Sequence, residues 1–178
     1  MFVFGKKKFF NEIYCEVFKK VLLAVDDTNN ILTYYGAKTS IEENKMKFVL
    51  STYLFNLYFV EGPLQSKYWS KYKKEVNQII EAMIVEISNR TGYNAEQVFN
   101  VYTTVRTNLG DAALNNEKFK DVNPLYIAAI YYLQFTFKDK YDPENFGYYL
   151  GEVETAIAKV FENTMKETIR YLDSKQQI

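Results

Sequence analysis

Apolar residues recur at spacings of three and four along almost the whole chain, and no stretch bounded by hairpin turns alternates at the two-residue period of a strand. The pattern predicts an all-α protein. A first helix is expected from Lys7 to Val25, with Phe9, Phe10, Ile13, Tyr14, Val17, Phe18, Val21 and Leu22 on one broad stripe. Asp26, Asp27 and the Asn29-Asn30 pair are expected to end it. Thr39 with Glu42 and Ser40 with Glu43 form a doubled capping signature ahead of a second helix. That helix carries Met46, Leu50, Tyr53, Leu57 and Val60 on one side and Phe48, Phe55 and Phe59 on roughly the opposite one. A helix apolar on two sides belongs in the middle of a fold.

Gly62-Pro63 is expected to open a third helix, because proline is tolerated in a first turn. Its Trp69, Tyr72, Val76, Ile79, Met83 and Ile87 make a short bundle seam. A fourth helix runs from Ala95 to Leu109 and is closed by Gly110. Asn123-Pro124 opens a fifth, apolar nearly all round, and Asp142-Pro143 opens a last one reaching about Leu172. On that last helix Phe146, Leu150, Val153, Ile157, Val160, Phe161 and Thr164 share a face. With short links, no internal repeat and no composition break, the expectation is one domain over 1–178. It is an irregular bundle of six to seven helices, the buried ones near 41–61 and 124–138.

Composition narrows the chemistry more than the fold. The 178 residues include 16 Tyr and 14 Phe, enough aromatic surface for a thick core with tyrosines at its rim, or for a recognition face. Charge is balanced at 22 basic against 22 acidic residues, so no whole-molecule field draws the chain to nucleic acid. Only Arg90, Arg106 and Arg170 are arginines, which leaves few forks for phosphate or base edges. There is no histidine, so imidazole bases, nucleophile–imidazole pairs and histidine metal ligands are all excluded. Cys15 is the one cysteine and can form neither an internal disulfide nor a thiolate zinc site. The Lys, Asn, Ile and Tyr bias fits an AT-rich bacterial or phage genome.

A cytoplasmic location is expected. The opening "MFVFGKKKFF" runs apolar before basic, the reverse of a secretory signal. The longest apolar stretch, from Phe48 to Val60, is shorter than the roughly 20 residues a bilayer span needs, so no stable membrane insertion is expected. Asn89-Arg90-Thr91 matches a glycosylation triplet but has no use without export.

"SNRTGYNAEQVFNVY", residues 88–102, has the outline of a DNA-binding helix-turn-helix. The outward positions of its second helix are Ala95, Glu96, Phe99, Asn100 and Thr103, with no cation before Arg106. Phosphate contacts supply most of the affinity for DNA, so specific DNA binding is not expected and the corner reads as structural, with Asn94 and Gln97 as a capping box. Two basic and aromatic stretches remain. Lys67, Lys71 and Lys74 share one side of the third helix beside Tyr68, and Lys6, Lys7 and Lys8 sit among Phe2, Phe4, Phe9 and Phe10. Either could touch an anionic surface, and either could be a solvated helix face.

Asn56 and Gln134 each fall within a helix that is apolar nearly all round, where an unpaired amide costs about 1–3 kcal/mol. They are expected to pair with each other or with backbone, or to anchor a ligand beside Tyr53 and Tyr131. Metal chemistry would fall to carboxylates alone, with Glu86 and Glu154 nearest the stripe edges. No cofactor is expected. The first functional expectation is a non-catalytic module that binds a protein partner, or itself, through an aromatic-rich face. The alternative is an apolar or aromatic small molecule held between helices, and the third reading is a carboxylate-only Mg-dependent enzyme.

Overall fold

Polar residues on the solvent side of a helix do not stop it, and the first element shows this. In the computed structural model, which describes residues 2–36, 45–115, 123–137 and 150–175, helix α1 runs from Phe2 to Tyr34. Asp26, Asp27, Asn29 and Asn30, expected to end it at Val25, are all exposed, while Val21, Ala24, Thr28 and Leu32 continue the buried stripe through them. The stop is Gly36, whose φ of 86° is the left-handed cap conformation, with its N–H donating to the Thr33 carbonyl at 3.2 Å.

The second correction lies in helix α2, Lys45–Thr91. Gly62-Pro63 does not begin a new helix; Pro63 lies inside this one, because Val60, Leu64 and Tyr68 keep the buried stripe running past it. The break comes at Tyr72, with φ −134° and ψ 36°. There the chain folds back on itself. Met46 near the start of α2 lies against Gly92 just past its end. Neither glycine nor proline marks the fold point. The Tyr72 ring is held from outside, with Phe10 of α1 5.3 Å away edge-on and the Lys6 ammonium 5.0 Å from its centre.

Helix α3, Ala95–Asn115, runs past the stop expected at Gly110, helix α4 spans Pro124–Phe137, and helix α5 spans Leu150–Ser174. The described residues thus hold five helices, one of them folded, and no strand, where six to seven helices were expected. The capping signature at 39–43 and the Asp142-Pro143 start, with Phe146, lie outside the described residues. Asn123 opens α4 as expected, its side-chain oxygen accepting from the Leu125 N–H at 2.9 Å.

The corner at 88–102 closes as a tight turn with a capping box. Gly92 takes a φ of 73°, the Ser88 hydroxyl donates to the Tyr93 carbonyl at 2.6 Å, and Asn94 and Gln97 exchange both bonds of a capping box. Val98 and Tyr102 turn inward, and Ala95, Glu96, Phe99, Asn100 and Thr103 face solvent.

Helix α2 packs on all four other helices and its first arm separates two cores. Leu50, Tyr53, Leu57 and Val60 face α1 and the returning arm, where Val76, Ile79, Met83 and Ile87 are buried. Phe48, Phe55 and Phe59 face the other way, toward Tyr132 of α4 and Phe161 of α5. Both stripes follow the sequence pattern except at Met46, which is about half exposed. Phe161 is the hub of the second core, stacked on Phe59 at 4.7 Å and edge-on to Tyr132 at 5.9 Å. Of the aromatic side chains whose burial is described, Tyr34 and Phe99 are exposed and the others are buried or partly buried.

Candidate functional site

The residues singled out from sequence do not form one site. Asn56 is fully buried, and its amide bonds inside the protein. Its N–H donates to the Thr52 carbonyl at 2.9 Å and its oxygen accepts from Thr164 at 3.3 Å. Around it Thr52 bonds the Tyr132 hydroxyl at 2.7 Å and Ser51 bonds Thr136 at 2.8 Å, so α2, α4 and α5 are tied by a closed polar seam. Gln134, expected to be enclosed, is exposed, because α4 keeps a solvent side despite its apolar composition. Tyr53 is buried in the first core, stacked on Phe18, while Tyr131 is half-buried at the second.

Glu86 and Glu154 are not brought together either. Glu86 pairs with Arg90 one turn on, at 2.8 Å, and Glu154 accepts the hydroxyl proton of Tyr126 on α4. That bond, before burial and the carboxylate's charge, pushes the Tyr126 pKa up to about 12. Among the described residues no three acidic or thiol side chains gather as a metal site would require.

The arrangement that does form was not singled out. Glu61 is a carboxylate only 5% exposed, on the stripe between Leu57 and Leu64. Three groups from two helices answer it: the Tyr102 hydroxyl of α3 donates to one oxygen, and Gln65 donates to the other at 2.6 Å. Arg106 of α3 stands 3.6 Å from that second oxygen. Burial, then the charge and hydrogen bond of Glu61, push the Tyr102 pKa well above its usual range, and Tyr58 is raised by burial and then by the same carboxylate. A helical-spacing signal for Glu61 existed, at i+4 from Leu57, but ending the helix at Gly62 hid it.

This polar cluster closes one end of a cleft between α2, α3, α4 and α5. One chamber, about 390 Å³, is lined by Glu61, Pro63, Gln65 and Arg106. The adjoining one, about 350 Å³, is lined by Leu109, Pro124, Leu125, Ile127 and Ala128, with Tyr58, Phe59 and Met165 common to both. Pro63 has no N–H to offer the Phe59 carbonyl, which loses its helical donor beside the cleft. Arg106 spends one long ion pair on Glu61 and is about half exposed, so most of its five N–H groups are open to a further acceptor. An apolar chamber ending in a fixed polar pair can orient a small amphipathic molecule.

Fold and site together define a helical bundle with an amphipathic interhelical cleft. No protein-family model, curated protein or solved structure matches the chain.

Proposed function

We propose that the protein binds a small amphipathic organic molecule in the cleft between α2, α3, α4 and α5. The observation that carries this reading is the junction of an apolar chamber with the buried Glu61–Tyr102 pair and the half-exposed Arg106. The chamber volumes fall within the usual range for small-molecule sites, roughly 300–1,000 Å³. The ligand's apolar body lies against Phe59, Leu109 and Ile127, and its polar end meets the free N–H groups of Arg106. Recognition of a protein partner, or of a second copy, through an aromatic face has less behind it, since most of the aromatic side chains whose burial is described are buried or partly buried.

The test is ligand-observed NMR with a panel of alkyl and aryl carboxylates and their neutral amides, using the intact chain and Met165→Trp. An indole at position 165 fills the volume common to both chambers. Binding to the intact chain that disappears in the variant is the expected result. Equal binding to both proteins, or no binding by any panel member, overturns the reading.

A further inference from the structure

The fold brings together two basic stretches that the cleft leaves unused. Lys6, Lys7 and Lys8 open α1, and Lys67, Lys71, Lys73 and Lys74 surround the point where α2 folds back. Contacts join them directly: Lys6 bridges to Glu75 at 2.5 Å and lies over the Tyr72 ring, while Phe10 packs on Tyr68. Lys175, at the end of α5, completes the group beside Lys7 and Lys8. The acids at this end are Glu12, Glu16, Glu75 and Asp173, of which three are tied to Lys175, Lys6 and Lys67. Eight lysines therefore face four carboxylates. Since the chain as a whole has 22 of each sign, the remainder holds 14 basic and 18 acidic residues, and a zero net charge hides a polar distribution. Among the described residues Lys7, Lys8 and Lys73 have no carboxylate partner, Lys74 meets Glu75 only through its charge, and all four are exposed.

We propose that this end of the bundle docks on a membrane surface bearing anionic headgroups. The charge complements such a surface, and the form of the patch selects it over a nucleic acid. Strand binding needs bare aromatic faces for bases to stack on. Here Trp69 and Tyr72 are partly buried, with Lys73 and Lys6 already over their rings. The cations named at this end are all lysines, whereas arginine is the better phosphate fork. A headgroup layer asks only for clustered cations within a Debye length, and each lysine near it strengthens partitioning about fivefold. Docking is peripheral, as no described helix is long and apolar enough to cross a membrane.

The experiment is co-sedimentation of the full chain with vesicles of phosphatidylcholine alone or with 30% phosphatidylserine added (about that fraction suffices for a surface potential of tens of millivolts), across a salt series. Binding to the anionic vesicles that weakens with salt, with none to neutral ones, is expected. Lys7→Glu, Lys8→Glu and Lys74→Glu together should lower partitioning more than about a hundredfold. A control reversal at Lys19, Lys45 and Lys159, with circular dichroism confirming that both variants fold, should lower it far less. Equal losses in the two variants, salt-independent binding, or a preference for single-stranded DNA over anionic vesicles each overturn the proposal.

Discussion

Asn56 and Glu61 stand five residues apart on the same arm of α2, both buried and both polar, yet their surroundings differ in kind. Asn56 looks into a closed seam in which Thr52, Tyr132 and Thr164 complete the hydrogen bonding and the Phe161 ring system closes over the rest. Glu61 looks toward α3, where its three partners leave a chamber alongside and an arginine with donors to spare. A buried polar side chain is therefore not itself a sign of a site. What separates the two is the void beside one of them.

The comparison can be broken by substitution. The largest effect is expected at Phe161→Ala, which opens the aromatic hub over the closed seam and should cost about 3–5 kcal/mol, read as a fall in the urea midpoint. A loss below about 1 kcal/mol would show that the seam does not depend on that ring. Next comes Glu61→Leu, which strands the Tyr102 hydroxyl at a site with no other partner and should cost about 1–3 kcal/mol. Asn56→Leu, by contrast, should change stability by less than about 1 kcal/mol, because Thr164 keeps its bond to the Val160 carbonyl and the Thr52 carbonyl keeps its helical donor. Equal costs for the two would erase the distinction between closed seam and open cluster.

Alkaline pH tests the same contrast. Tyr102 and Tyr126 both hold their protons more tightly in the fold than in the unfolded chain, where tyrosine titrates near pH 10. The stability this gives is complete below pH 10 and is lost as pH rises through the raised folded values, about 12 for Tyr126. Urea midpoints should therefore fall steeply between pH 10 and 12, and Tyr102→Phe should flatten the fall. An unchanged slope would mean that the Glu61 cluster does not hold that proton. The smallest effect is expected at Tyr68→Phe. Its hydroxyl is buried without a hydrogen-bond partner, so its removal should be neutral or stabilising by up to about 1 kcal/mol, checked by the same midpoint.

Much of the local structure was legible in the order of residues. The two stripes of 46–60 went to two different cores, the Asn94/Gln97 box formed, and Asn123 capped α4. Misreadings came where a polar or helix-breaking residue was taken as a boundary. Asp26 and Asp27 sit on a solvent face, and Pro63 is carried through by the burial of Leu64 and Tyr68 beyond it. Gln134 erred in the opposite direction: apolar neighbours suggested enclosure, but a helix packed mainly on α2 and α5 retains one wet side.

By itself the sequence determined the helical class, the faces that each helix buries, and the absence of imidazole chemistry, because periodicity and residue type are properties of a single element. Only the tertiary structure decided that α2 folds back at Tyr72, that Glu61 meets Tyr102 and Arg106, and that lysines some 60 positions apart share one end of the bundle. Those outcomes depend on which faces pack together and at what angle. Packing is a sum over residues distant along the chain, and no local pattern encodes it.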